Sequence, residues 1–177
     1  MAPVDLGAWS PNGPSGYRFN DKGGEINVVS TDAFRSDIDP FAAVSAFIYL
    51  AKNWNRPSIK LHIYGGDVTG KGWGALLKPL IDNNQLGETV GWVKGLANVY
   101  RAADLMITPH HIQVRSVREA MACGCPVVKV DEHCLGESAN QIQAAISLDR
   151  AAVRLEAERR FDPKVSALMF ERMIKEL

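Results

Sequence analysis

The chain has 177 residues, of which 46% are hydrophobic and 23% charged, enough for about one globular domain with a core that needs neither disulfide nor metal. Twenty Lys and Arg balance twenty Asp and Glu, which excludes a general electrostatic grip on nucleic acid or on an anionic membrane. No run approaches the ~20 apolar residues of a transmembrane helix, Met1–Asp5 is not expected to act as a leader peptide because it lacks a charged start and an apolar run, and Cys123, Cys125 and Cys134 make no disulfide framework, so a reducing cytosol is expected.

The chain opens on Gly7, Pro11, Gly13, Pro14, Gly16, Gly23 and Gly24. That density predicts an irregular lead-in over residues 1–24. Residues 25–30 follow as a β-branched run bounded by Gly-Gly and Ser-Thr-Asp, the pattern of a buried strand. Asp39-Pro40 then caps a helix running to about Asn53, with Phe41, Val44, Phe47 and Ile48 on one face. Residues 59–64 read as a second strand, stopped by Gly65-Gly66. A helix is expected from Trp73 to about Asn83, with Pro79 as a point where it can kink. Short strands are expected at 89–93, 104–108 and 126–130, and short helices at 96–103 and 116–123. From Ser138 onward the pattern is helical, and Asp162-Pro163 opens the last helix.

Strands and helices thus alternate about five times, and runs such as Val28-Val29 and Val127-Val128 suit strands covered on both faces. The fold expected is α/β, a doubly wound parallel sheet of Rossmann-like type with a C-terminal helical tail. Its parts are a lead-in over 1–24, a Rossmann-like domain over 25–150 and a helical tail over 151–177. Such a sheet binds ligands at the carboxyl ends of its strands, where helix N-termini suit phosphate.

Four features there bear on chemistry. Residues 65–72 have the spacing of a phosphate loop, but Gly72 stands where magnesium chemistry needs Ser or Thr, so a flexible glycine turn is the better reading. Cys123, Cys125, His133 and Cys134 are spaced too tightly for a usual zinc site and read as small buried thiols around a turn. His110-His111 follow a strand end where chemistry or a solvated loop is equally in keeping. Arg115 and Glu119 are four apart on a helix and can pair.

A denser signal runs from Leu96 through Tyr100, Ala103-Asp104-Leu105 and Pro109 to Val117-Arg118-Glu119-Ala120-Met121-Ala122-Cys123-Gly124-Cys125-Pro126-Val127-Val128. It resembles the C-terminal, nucleotide-sugar-binding domain of retaining glycosyltransferases of the GT-B fold, family 4 type (glycosyl transferases group 1), whose motif ends in EAMAxGxPVV. Weaker likenesses lie at Pro3-Val4-Asp5-Leu6, the interdomain segment, at Ile63-Tyr64-Gly65-Gly66, at Thr89-Val90-Gly91-Trp92-Val93 and at Arg159-Arg160-Phe161-Asp162-Pro163.

The resemblance implies a donor site for a UDP-, GDP- or ADP-sugar, with no metal and no cofactor beyond that substrate. Glu119 matches the Glu that contacts the nucleotide ribose. Ser116 and Val117 offer amides to the diphosphate, and Arg115, Gly65 and Gly66 join the donor-binding set. His111 falls eight residues before Glu119, where the family has a first Glu on the donor sugar. Of the family's basic pair after the first strand only Arg35 is present nearby, with Lys71 or Arg115 as substitutes, so the catalytic set expected is His111, Arg35 and Lys71. Glu137 stands near a further acidic position. The acceptor, a sugar or lipid, would bind a separate N-terminal domain, making the chain about half of a two-domain cytoplasmic enzyme compatible with peripheral membrane association. The replaced residues equally suit a degenerate, non-catalytic sugar-nucleotide-binding or assembly module.

Overall fold

The computed structural model describes residues 3–14, 16–19, 24–31, 40–54, 58–65, 73–82, 86–91, 93–110 and 114–175. Five strands alternate with helices in chain order: β1 (Ile26–Ser30), α1 (Pro40–Asn53), β2 (Ile59–Tyr64), α2 (Trp73–Asp82), β3 (Gly87–Gly91), α3 (Leu96–Ala102), β4 (Leu105–Thr108), α4 (Arg115–Ala122) and β5 (Val127–Lys129). Three helices follow: α5 (Leu135–Ala145), α6 (Arg150–Phe161) and α7 (Pro163–Lys175). All strand pairings are parallel, in the order β3-β2-β1-β4-β5. The chain therefore builds outward from β1 to β3, crosses back through α3, and builds outward again from β4. The α/β, doubly wound sheet read from the sequence is the fold observed, and its switch point lies between β1 and β4.

Strand side chains alternate between two cores, as the two-residue period requires. Val28, Leu61, Ile63, Leu105, Ile107 and Val128 face one core with Phe47 and Leu50 of α1, Leu77 and Ile81 of α2, and Ile142 of α5. Val29, Tyr64 and Met106 face the other with Val99 and Tyr100 of α3, Ala120 of α4, and Ala157 and Phe161 of α6. Pro79 lies inside α2, and the helix continues past it to Asp82.

Strand β3 lies two residues earlier than its apolar letters predict. Its register starts with Gly87 opposite Leu61, and a Cβ on Gly87 would come within 1.8 Å of the Leu61 carbonyl oxygen. That close approach, rather than a β-branched run, places the strand, and Gly91 ends it at φ +79°.

The described residues of the lead-in form no helix or strand, but they are packed. Val4 is buried in the second core, and its N–H donates to the Phe161 carbonyl at 3.3 Å. Arg154 of α6 donates to the carbonyls of Leu6 (3.1 Å), Trp9 (2.6 Å) and Ala122 (2.5 Å). Arg101 of α3 donates to Ser10 O at 2.5 Å and to Pro14 O at 3.4 Å. Further on, Tyr17 and Tyr64 share a hydrogen bond of 2.5 Å, and the Phe19 ring lies 4.4 Å from the His62 ring. His62 itself is buried, with Nδ1 2.8 Å from Glu88 Oε1 and Nε2 2.9 Å from Asn27 Oδ1.

Cys123 and Cys125 are fully buried where α4 turns toward β5, and Cys134 is exposed. Burial pushes the Cys123 thiol up to about 11 and the Cys125 thiol up to about 12. Among the described residues no His, Cys, Asp or Glu cluster has the makings of a metal site. No helix among them is long and apolar enough to cross a membrane.

Candidate functional site

Six residues separate the end of β4 from the start of α4, at the carboxyl edge of the sheet. Its Ncap is Val114, with extended backbone and no capping side chain. The first N–H groups of a helix lack partners within it, so those of Arg115 and Val117 point out of its N-terminus. Val117 is buried through its side chain, which leaves its backbone as the part that can meet a ligand.

One turn further, Glu119 is 5% exposed. Arg115 Nε donates to Glu119 Oε1 at 2.6 Å. The pair is asymmetric: the Arg115 side chain is 82% exposed and that of Glu119 is 7% exposed. Glu119 thus anchors the guanidinium at the rim, and the hydrogen bond raises the Arg115 pKa further, keeping it charged. The second Glu119 oxygen has no hydrogen-bond partner among the described residues, and it is the atom left for a ligand.

Beside this pair lies a cleft of about 520 Å³ lined by Ala8, Trp9, Val93, Gly95, Leu96, Ala97, Arg115 and Glu119. Its size suits a small-molecule site. The lead-in supplies one wall, the loop after β3 and the start of α3 another, and α4 the charged end. Gly95, the Ncap of α3, has φ +79°, a left-handed conformation that favours glycine there.

The structure brings Arg115, Ser116, Val117 and Glu119 together at one helix start. Gly65 ends β2, where its N–H donates to the Gly91 carbonyl at 2.9 Å. Arg35, Gly66, Lys71 and His111 lie outside the described residues, as does most of the loop resembling a phosphate loop. Trp9, Leu96 and Ala97 line the cleft without having been singled out as site residues in the sequence. Glycine and proline around Trp9 read as linker, and nothing local signals that a helix near the other end of the chain holds it in place.

Residues 40–152, well over half of the chain, match the family described as Glycosyl transferases group 1. The chain belongs to this family. No curated protein matches it. Solved glycosyltransferases show the same fold at low identity. A glycosyltransferase from Rickettsia africae ESF-5 is 13% identical with a TM-score of 0.71, over 99% of this chain and 56% of that one. Anabaena HepE, in a complex with UDP and glucose, is 15% identical with a TM-score of 0.67, over 99% of this chain and 55% of that one. The pneumococcal O-GlcNAc transferase GtfA, in a complex with UDP and GlcNAc, is 18% identical with a TM-score of 0.62, over 85% of this chain and 35% of that one. The chain spans about a third to just over half the length of these glycosyltransferases. Its fold is that of the GT-B C-terminal domain expected from the sequence.

Proposed function

We propose that this chain is the donor-binding half of a glycosyltransferase, taking a UDP-, GDP- or ADP-sugar in the cleft at the start of α4. The observation that carries this is the buried Glu119 carboxylate, held by Arg115 through one oxygen and open through the other, at the carboxyl edge of a parallel sheet. A carboxylate so placed accepts hydrogen bonds from vicinal ribose hydroxyls. In this reading the start of α4, with its positive dipole end, and the exposed Arg115 guanidinium neutralise the diphosphate.

In the transfer, the bond between the sugar's anomeric carbon and the diphosphate oxygen breaks, and a bond to an acceptor oxygen forms. The acceptor's proton leaves to solvent or to the departing phosphate. Negative charge grows on the leaving diphosphate, so cations fixed beforehand lower the barrier. Arg115, with Arg35 and Lys71, is assigned that work, and His111 contacts the donor sugar. The acceptor, a sugar or lipid, would bind a separate N-terminal domain. The location proposed is cytoplasmic, with peripheral membrane contact left to the whole enzyme. No metal or cofactor enters the scheme.

His111 in place of the family's first Glu favours a second reading, a module that binds the nucleotide sugar without transferring it. Donor hydrolysis without acceptor separates the two. Release of nucleoside diphosphate that stops in Glu119→Ala and falls in His111→Ala supports the transferase. Binding without release supports the module. Absence of both contradicts the shared donor site.

A further inference from the structure

Trp9 comes from the lead-in, far in sequence from α4, yet it lines the same cleft as Arg115 and Glu119. It is held there by its backbone: its N–H donates to Asp5 O at 2.9 Å, and its carbonyl accepts from Arg154 Nη1 at 2.6 Å. Its ring stands 6.0 Å from that of Tyr100 at 45°. Tyr100 is fixed in turn by a 2.8 Å hydrogen bond to Thr31. Trp9 is therefore preorganised, but only half-buried, and its indole N–H has no partner among the described residues. Val93 and Leu96 add apolar wall nearby.

An aromatic face beside a ribose-binding carboxylate has an evident complement. A nucleotide carries its diphosphate on one side of the ribose and its base on the other. Arg115 takes the diphosphate side, which leaves the base against the apolar wall. We propose that Trp9 is the stacking platform for the nucleobase of the donor, so that the lead-in is a working part of the nucleotide site rather than a tether. This rests on the donor reading of Glu119.

Stacking of one base on an aromatic side chain changes affinity roughly 5- to 150-fold on truncation. Titration of UDP, GDP and ADP into the whole chain should show the preferred nucleotide bound about that much more weakly by Trp9→Leu, with Trp9→Phe recovering most of the loss. A measurement on the unaltered protein runs beside it. The chain has four tryptophans, and Trp9→Phe assigns the Trp9 indole signal by NMR. That signal should shift with the nucleotide and stay in place with inorganic diphosphate. Binding that needs Glu119 but is indifferent to Trp9→Leu, with an unmoved indole signal, overturns the platform and leaves the donor site standing. An indole shift with glucose or diphosphate alone also overturns it. No nucleotide binding at all overturns both.

Discussion

Arg154 Nη1 lies 2.6 Å from the carbonyl oxygen of Trp9, across 145 positions of chain. The same guanidinium reaches Leu6 and Ala122, so one side chain ties lead-in, α4 and α6 together. Its own exposure is 16%, which makes these bonds worth more than surface ones. Hydrogen bonds to a charged group contribute about 1.5–3 kcal/mol each, less than additively. Arg154→Met should therefore destabilise the fold by about 2–4 kcal/mol, seen as a Tm lower by roughly 5–15 °C. Limited proteolysis should cut residues 5–14 faster. Unchanged Tm and protection would contradict the strap.

Glycine substitutions separate the close approach in β3 from ordinary helix preference. Gly87→Ala must push a methyl group into the Leu61 backbone, 1.8 Å from its oxygen. A loss of at least about 2 kcal/mol is expected, because neither backbone can yield without breaking the pairing. Gly136→Ala, on α5 with its nearest atom 3.7 Å away, should be neutral or gain up to about 1 kcal/mol. Chemical denaturation of the two variants checks both signs.

The buried thiols predict an alkaline limit. Cys123 and Cys125 are raised from an ordinary 9.0 to about 11 and about 12, by burial first. An acid whose folded pKa is raised stabilises the fold in its protonated form. That stability is fully present below pH 9 and is lost as pH climbs through 9 toward 11 and 12. Tm should be flat near neutrality and fall above pH 9, less steeply in Cys123→Ala/Cys125→Ala. At about pH 8 a thiol reagent should modify exposed Cys134 at once, and the other two only on unfolding.

Arg115 and Glu119 should part company when altered. Arg115 is 82% exposed but its partner Glu119 only 7%, so Arg115→Ala should cost about 1–3 kcal/mol, from the buried carboxylate it leaves without a partner. It should also act on ligands: weaker binding of nucleoside diphosphate, little change for the nucleoside. A loss of stability without that split would make the pair structural.

The alternation of β-branched runs with amphipathic stretches made β1, α1, β2 and α3 to β5 legible, because strands covered on both faces are continuously apolar. Strand β3 was legible as a strand but placed two residues late, since GETVG owes its register to a glycine fitting against Leu61. Within the site, Arg115 and Glu119 could be read because a helix brings residues four apart together. Trp9 could not, because a contact spanning most of the chain leaves no local pattern. His62 was likewise silent: only the folded sheet sets Asn27 and Glu88 on either side of it.

Whether Glu119 receives the donor's ribose is tested most directly by isothermal titration of UDP-, GDP- and ADP-glucose into the chain and into Glu119→Gln. Saturable binding of one donor is expected, weakened about 10- to 150-fold in the variant, with the variant still folded. Equal affinity in the two proteins, or no binding of any of the three donors, would contradict it.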